Sequence, residues 1–262
     1  MSDRGDHLVV RTPQNPTFWW GNFLLYDRAP QAGDAAAWLA AFDAEITQAQ
    51  PGSGHVAIGI DGAESFELPA DFAAAGLERI TLAVLTLTRD QLLAPRKAID
   101  REFNARVAEL PARIGALVDL QVTADDGGHE PAGYRVFREQ QMRRYTAMQD
   151  AGLGHVFAVF TRTPHGERPV ADCGLFRDGH GPGSVARFQH VETHPQWRRR
   201  GLCSALVHRV CVHGFEVMGA ETLVMLADPD DVAIGIYESL GFQRGADLYE
   251  LQRRPQATPS LA

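Results

Sequence analysis

Apolar and polar residues form two kinds of pattern along the second part of the chain, from residue 103 onward. The run TLVMLA at 222–227 is continuously apolar, which is typical of a strand covered on both faces. The segment 199–218 has one narrow polar stripe on an apolar background, which is typical of a largely buried helix, and Gly219 follows it as a stop signal. The pattern predicts strands at 103–110, 155–161, 170–177, 184–193, 222–227 and 242–251, and helices at 114–123, 134–150, 199–218 and 231–240. This alternating order predicts an α/β or α+β fold, a mixed sheet with helices on both faces.

Residues 1–95 carry a shorter series of elements. The pattern predicts strands at 18–26, 55–61 and 81–87 and a helix at 35–48. Trp19 and Trp20 are adjacent, so in a strand they would face opposite sides of the sheet. The stretch 89–100 mixes charges with a proline and has no strand pattern, so we predict two domains, 1–95 and 96–262.

Composition and charge exclude several classes of protein. The 262 residues include 25 basic and 33 acidic side chains, a net charge of −8, and 45% are hydrophobic. Residues 1–95 hold only five of the basic and twelve of the acidic side chains. An acidic chain without a long basic run is a poor candidate for nucleic-acid binding. The sequence has no signal peptide pattern, no apolar stretch that could span a bilayer and only three cysteines, so we expect a cytoplasmic protein without disulfides or membrane contact.

The strongest chemical pattern is a turn with three consecutive arginines, Arg198, Arg199 and Arg200, followed by Gly201. Positive side chains at a predicted helix start are locally unfavourable, because the free N–H groups there attract negative charge. A bound anion would remove this conflict, and a glycine lets the backbone approach it closely. The sequence therefore predicts an anion or phosphate site here; a solvated basic patch is the alternative.

The same turn resembles a motif of the GCN5-related N-acetyltransferases (GNAT). Arg198-x-x-Gly201-x-Cys203 is similar to the family's Q/R-x-x-G-x-G/A motif, although Cys203 stands in place of glycine or alanine. The segment 230–242 resembles the family's N-x-x-A-x-x-x-Y-x-x-x-G-F pattern, although Asp230 replaces the asparagine. The resemblance covers about residues 103–252 and implies a GNAT-type mixed sheet that binds acetyl-CoA as the acetyl donor.

The resemblance also implies roles for individual residues. Backbone groups of Val191 and Thr193 would pair with the pantetheine arm of coenzyme A, and Tyr237 would protonate the leaving thiolate. The full set of residues implied in cofactor binding is Val191, Thr193, Arg198, Arg199, Arg200, Gly201, Leu202, Cys203, Ser204 and Asp230.

Two of these chemical roles have competing interpretations. A tyrosine on an apolar helix face, such as Tyr237, is otherwise a core residue with a bonded hydroxyl. For the general base we choose Glu192 over His190 and Asp228, although alternation places Glu192 on the strand face opposite Val191. The alternatives are a structural or solvated role for each of the three and loss of the amine proton to water. The ten histidines are scattered, and the sequence shows no metal-site pattern.

The first part contains a segment that resembles the end of the second. Phe72-Ala-Ala-Ala-Gly76-Leu-Glu-Arg79 is similar to Tyr237-Glu-Ser-Leu-Gly241-Phe-Gln-Arg244, and each is followed by a predicted strand. Residues 1–95 therefore resemble a degenerate GNAT half-fold, with Phe72 in place of the tyrosine and no arginine three residues before Gly33; an unrelated α/β extension is the alternative.

The resemblance implies an acetyl-CoA-dependent N-acetyltransferase that acts on an amine by direct attack on the thioester. Its partners would be coenzyme A and an amine of undetermined identity, and the protein would be a monomer or homodimer. The alternatives are a non-catalytic acyl-CoA-binding or regulatory module with the same fold, and a phosphate-binding protein unrelated to coenzyme A.

Overall fold

The structure is a computed structural model that describes residues 1–51, 54–62, 64–177 and 183–255. The strands are β1 (Ser2–Asp3), β2 (His7–Val10), β3 (Phe23–Tyr26), β4 (Val56–Ile60), β5 (Glu78–Leu87), β6 (Asn104–Val107), β7 (Gly154–Thr163), β8 (Gly166–Arg177), β9 (Val185–Thr193), β10 (Thr222–Ala227) and β11 (Gln243–Arg253). The helices are α1 (Ala35–Phe42), α2 (Ala70–Ala74), α3 (Ile114–Ala124), α4 (Pro131–Asp150), α5 (Leu202–Glu216) and α6 (Ala233–Ser239).

The chain divides into two compact units that do not coincide with a single cut in the sequence. The first unit comprises Met1–Leu82 and Ala246–Ala262, and the second comprises Ala83–Gly245. The end of β5 pairs with β10 inside the second unit, and the end of β11 pairs with β4 inside the first. β5, the last strand of the first half of the sequence, thus contributes to the second unit, and β11, the last strand of the second half, contributes to the first unit. The division of function between residues 1–95 and 96–262 stays a prediction.

The second unit is a mixed sheet covered on both faces, which confirms the predicted fold class. Its strands lie in the order β5–β10–β9–β8–β7–β6, and β9 and β10 are the parallel pair. Alternation along β7 supplies two cores: Phe157 and Val159 pack in the core that contains α5, whereas Val156 and Ala158 pack in the core that contains α3 and α4. The two faces of the sheet are therefore buried by different helices.

A bulge in β9 sets which side chains face each layer. Leu175 pairs with Phe188 and Cys173 pairs with Val191, so β9 contains one more residue than β8 between these two pairs. As a result Phe188 and Val191 both pack in the α5 core, although they are three positions apart and strict alternation would place them on opposite faces. The residues between and beyond them, His190 and Glu192, face α3 and α4, as alternation from Val191 predicts.

The first unit repeats the element order of the second. β3, α1, β4, α2 and β5 follow one another as β9, α5, β10, α6 and β11 do, and β3–β4 is a parallel pair like β9–β10. Strand order in this unit is β1–β2–β3–β4–β11. The core is formed mainly by α1, β3, β4 and α2, with Phe72 fully buried against Trp38 at a ring distance of 5.4 Å. The element order agrees with the half-fold resemblance.

One expectation for the first unit is wrong. Trp19 and Trp20 do not belong to a strand but to a 3₁₀ turn at Trp19–Gly21, and the strand begins only at Phe23. The buried side chain of Asn22 donates to the carbonyl groups of Asn15 and Phe18 and thereby closes the turn. These tertiary hydrogen bonds outweigh the apolar pattern that favoured a strand.

Two histidines of the second unit predict a loss of stability in acid. His155 and His213 lie with ring centroids 5.1 Å apart, and each has a buried ring nitrogen without a hydrogen-bond partner among the described residues. Burial lowers the pKa of His213 from 6.5 to about 4, and the nearby His155 and Arg209 add smaller contributions in the same direction. Because the unfolded chain binds this proton at higher pH than the folded chain, the stabilising contribution is complete above pH 6.5 and disappears as pH falls toward 4.

We therefore expect His213→Leu to flatten the fall in melting temperature between pH 6.5 and pH 4. The measurement is a series of thermal unfolding curves on the variant and the wild type. His165→Leu, at an exposed turn position, is the control and should keep the wild-type slope. Equal slopes in all three proteins would contradict the assignment to His213.

Candidate active site

β9 and β10 separate from each other at one end of their parallel pairing. The pairing extends only over Val185–Arg187 and Thr222–Val224; beyond it, β9 continues along β8 and β10 continues along β5. The strands diverge around a gap of about 220 Å³, which is lined by residues of β9, β10 and the start of α6. Such a gap at the end of a parallel pair is a place where an extended ligand can reach backbone groups of both strands.

The turn between β9 and α5 contains the predicted arginine–glycine motif. The helix begins at Leu202, not at Arg199 as predicted, because Arg199 (φ 61°) and Gly201 (φ 80°) adopt left-handed conformations that end the turn. The first backbone hydrogen bond at the start of α5 runs from the N–H of Ala205 to the carbonyl of Gly201. Within the described ranges, the amides from Arg199 to Ser204 have no acceptor. A row of free amides at a helix start can bind an anion.

The side chains of the three arginines in this turn make different contacts. The guanidinium of Arg198 donates to the carbonyls of Thr193 (3.1 Å) and Ala124 (3.3 Å), and it pairs with Asp126 at 2.9 Å. Arg200 lies over the ring of Trp197 at 4.7 Å. Arg199 is exposed, and no described side chain pairs with it. Arg198 thus joins the end of β9 to the end of α3, while Arg199 has its charge available for a ligand.

The other residues expected in cofactor binding lie around the same turn and gap. Val191 lines the gap, and Thr193 is the last residue of β9. Leu202 is fully buried in the α5 core, so only its backbone can reach a ligand. Cys203 and Ser204 are partly exposed in the first turn of α5, and burial raises the pKa of the Cys203 thiol to about 12.

Tyr237 lines the gap from α6. Its side chain is 5% exposed, its ring packs near Phe242, and among the described residues no group forms a hydrogen bond with its hydroxyl. Burial raises the pKa of Tyr237 above its usual value, and the neighbouring Cys203 and Asp231 add to the effect. The hydroxyl therefore keeps its proton at neutral pH and can donate a hydrogen bond into the gap.

Glu192 lies on the other face of the sheet, toward α4. Its carboxylate accepts a hydrogen bond from the guanidinium of Arg138 at 2.9 Å, and both side chains are mostly buried. Arg138 also donates to the hydroxyl of Tyr134 at 2.8 Å. Burial raises the pKa of Glu192, Arg138 opposes this shift, and Asp172 adds to it.

The loop between β10 and α6 contains the three aspartates 228, 230 and 231. Asp230, which was expected to contact the cofactor, is exposed in the turn. Asp228 and Asp231 line the gap instead, and the Asp231 carboxylate accepts from the amide of Ala233 at 2.9 Å. The sequence motif predicted a contact at Asp230, whereas in the structure its neighbours Asp228 and Asp231 line the gap.

Sequence analysis missed a buried polar cluster beside Glu192. Asp172 of β8 is fully buried and accepts from Gln121 of α3 at 2.6 Å and from the ring of His190 at 3.0 Å. A charged residue inside the apolar strand VADCGLFR is the signal that could have identified it.

The corresponding turn of the first unit has its own carboxylate where the second unit has free amides. Asp71 of α2 accepts from the amides of Gly33 (3.0 Å) and Ala35 (3.1 Å) at the start of α1. Gly33 has a φ of 98° and precedes α1 much as Gly201 precedes α5. An internal anion therefore occupies this helix start, which leaves no place for a phosphate group there.

We expect Asp71→Asn to lower the melting temperature, because an amide satisfies these two N–H groups less well than a carboxylate does. Differential scanning fluorimetry on the variant and the wild type measures the change. Asp61→Asn, an exposed aspartate of the same unit, is the control. A variant that melts at the wild-type temperature would show that the carboxylate does not stabilise α1.

The described part of the chain contains neither a metal-ligand cluster nor a membrane-spanning helix. No group of three or more histidine, cysteine, aspartate or glutamate residues there could hold a metal ion. No helix in that part is long and apolar enough to cross a membrane.

The sequence matches one family model. Residues 116–242 match the model described as the acetyltransferase (GNAT) family. This range contains most of α3, all of α4, the separating strands, the arginine–glycine turn and Tyr237. No curated protein matches the chain.

Solved structures share the fold over most of the chain. A functionally unknown conserved protein from Staphylococcus epidermidis ATCC 12228 has a TM-score of 0.71 at 11% identity and covers 98% of this chain and 94% of its own. A GCN5-related N-acetyltransferase from Sphaerobacter thermophilus has a TM-score of 0.60 at 16% identity, with 97% and 78% covered. A tandem GNAT protein from the clavulanic acid biosynthesis pathway has a TM-score of 0.58 at 11% identity, with 90% and 76% covered. The fold likeness thus extends beyond residues 116–242.

Proposed function

We propose that the protein, whose residues 116–242 match the GNAT acetyltransferase family model, is an acetyl-CoA-dependent N-acetyltransferase that acetylates an amine. The observation that carries the proposal is the row of unpaired amides from Arg199 to Ser204 beside the gap between β9 and β10. A ligand with a pyrophosphate joined to an extended arm matches this pairing of an anion site with a strand gap.

In the proposed complex, the pyrophosphate of acetyl-CoA accepts hydrogen bonds from the amides at the start of α5. The left-handed conformation of Gly201 brings the backbone close to the phosphate oxygens, and Arg199 adds positive charge. The pantetheine arm follows β9 and pairs with backbone groups of Val191 and Thr193. Asp230 is exposed in the turn after β10, and its backbone amide already donates to the Asp228 carboxylate at 2.9 Å, so the proposed complex gives Asp230 no contact with the phosphate groups.

The proposed reaction is a direct attack on the thioester. The amine nitrogen loses a proton to Glu192 and forms a bond to the acetyl carbonyl carbon, a β9 amide stabilises the negative oxygen, and the carbon–sulfur bond breaks. The products are the acetylated amine and coenzyme A. Tyr237 donates a hydrogen bond to the leaving sulfur; because its pKa is raised, stabilising the thiolate is more favourable than giving up the proton completely.

The second candidate function is a non-catalytic module that binds an acyl-CoA. The observation that favours it is the ion pair between Glu192 and Arg138, because a carboxylate engaged by a guanidinium is a weaker base. The burial that raises the pKa of Glu192 acts in the opposite direction, so we retain the enzyme as the main proposal.

One experiment tests both candidates. The protein is titrated with acetyl-CoA and with CoA in a thermal-shift assay and is then incubated with acetyl-CoA and a panel of amines while free thiol is measured. An enzyme gives stabilisation by both ligands and amine-dependent thiol release. A binding module gives stabilisation without thiol release, and no stabilisation at millimolar ligand would contradict both.

A further inference from the structure

The buried polar cluster next to Glu192 has no part in the reaction described above. It contains Asp172 and His190 on the sheet, Gln121 on α3, and Gln141 and Tyr145 on α4. Asp172 has no exposed surface, and the side chain of His190 is 4% exposed. A buried carboxylate is costly unless it is paired and hydrogen-bonded, so an arrangement of this kind calls for a specific reason.

The pairing of β8 with β9 places Asp172 of this cluster directly opposite Glu192. Asp172 and Glu192 are opposite each other on β8 and β9, and both side chains point toward α3 and α4. Two carboxylates at directly opposite positions of an antiparallel pair repel each other. The bulge in β9 then turns His190 to the same face, where its Nε2 approaches the Asp172 carboxylate at 3.0 Å.

The charges around Glu192 come from four elements. β8 contributes Asp172, β9 contributes His190, α4 contributes Arg138 together with the hydroxyl of Tyr134, and the segment after α3 contributes Asp125, which is itself paired with His129. Arg138 and His190 favour the ionised form of Glu192, whereas Asp172 and Asp125 oppose it. Burial is the largest cause of the raised pKa of Glu192, Arg138 opposes it, and Asp172 is the neighbouring charge that adds most to the rise.

We propose that Asp172 and His190 are positioning residues that set the proton affinity of Glu192, with Asp172 raising it against Arg138 and His190 limiting the rise. The proposal rests on the proposed function, because it assigns to this pair the tuning of the base in that reaction. It also explains why a buried carboxylate lies opposite Glu192 and why the bulge turns a histidine toward it.

The test uses two variants with opposite expected effects. Asp172→Asn removes the repelling charge and keeps an acceptor for Gln121 and His190, so the acidic limb of the pH profile of kcat/KM should move to lower pH by about one unit. His190→Gln keeps a donor for Asp172 but removes the imidazole, so the limb should move to higher pH. Asp119→Asn, an exposed aspartate of α3, is the control and should leave the limb in place.

A second readout does not depend on turnover. Carbon-13 NMR of the protein with labelled glutamate carboxyl groups follows the titration of Glu192, whose signal is the one absent from Glu192→Gln. The same opposite displacements are expected there. Circular dichroism and melting curves check that each variant is folded.

The outcomes separate the two proposals. If the protein acetylates no amine but the NMR midpoint of Glu192 still moves down in Asp172→Asn and up in His190→Gln, the tuning holds and the proposed enzymatic function fails. If Glu192→Gln loses the acidic limb while the two variants move it in the same direction or not at all, the enzymatic role of Glu192 holds and the tuning is overturned. The tuning is also overturned if the Glu192 midpoint stays in place in both folded variants.

Discussion

Gly201→Val is expected to weaken the binding of CoA and acetyl-CoA at least tenfold, about 1.4 kcal/mol, while the protein stays folded. A β-branched side chain strongly disfavours the φ of 80° that Gly201 adopts, so the turn has to change its conformation. The nearest atom to a Cβ at this position is the carbonyl oxygen of Lys97 at 3.9 Å, so packing does not oppose the substitution. The loss falls instead on the amides that follow, which no longer converge on one anion.

Gly33→Val is the matched control for this measurement. Gly33 has a φ of 98° just before α1, and a Cβ there meets nothing within 4 Å. The strain is therefore of the same kind, but Asp71 already occupies this helix start. Isothermal titration calorimetry with CoA should show unchanged affinity for Gly33→Val and a lower affinity for Gly201→Val. Unchanged affinity in a folded Gly201→Val protein would mean that the anion site lies elsewhere.

Local patterns predicted most elements of the second unit because each has a run of residues with a clear period. The strand Thr222–Ala227 agrees with its prediction at both ends, since Thr222 and the five apolar residues after it lie between the acidic residues Glu221 and Asp228. The start of α5 was placed three residues too early, because the sequence of arginines does not reveal that Arg199 adopts a left-handed conformation. Backbone conformations of this kind depend on the surrounding turn and not on helix propensity.

Pairings between distant residues could not be predicted in the same way. The exchange of β5 and β11 between the two units joins segments more than a hundred residues apart, and neither strand has a pattern that identifies its neighbour. The pair Glu192–Arg138 and the cluster around Asp172 likewise depend on which helices cover that face of the sheet. The motif residues of the candidate site were found because the family resemblance fixed their order along the chain, whereas the residues that surround them come from β8, α3 and α4.

Tyr237→Phe is expected to lower the turnover number by roughly 10²-fold or less, with nearly constant affinity for CoA. The substitution removes one hydroxyl from a ring that is 5% exposed and packed near Phe242, so the core should be retained. A thiol has a pKa of about 8.5 and leaves readily as the thiolate, which limits how much a hydrogen-bond donor can contribute. Steady-state kinetics across pH, together with calorimetric titration of CoA, measure the two quantities separately.

Tyr249→Phe provides the control for the loss of a buried tyrosine hydroxyl, since Tyr249 is 8% exposed and belongs to the first unit. It should keep wild-type turnover.

Phe72 occupies the position that matches Tyr237 in the first unit. Phe72→Tyr should create no second active site, because Asp71 already binds the amides at the start of α1. A Tyr237→Phe protein that is fully active across the pH range would return Tyr237 to the role of a core residue and leave the stabilisation of the thiolate to water.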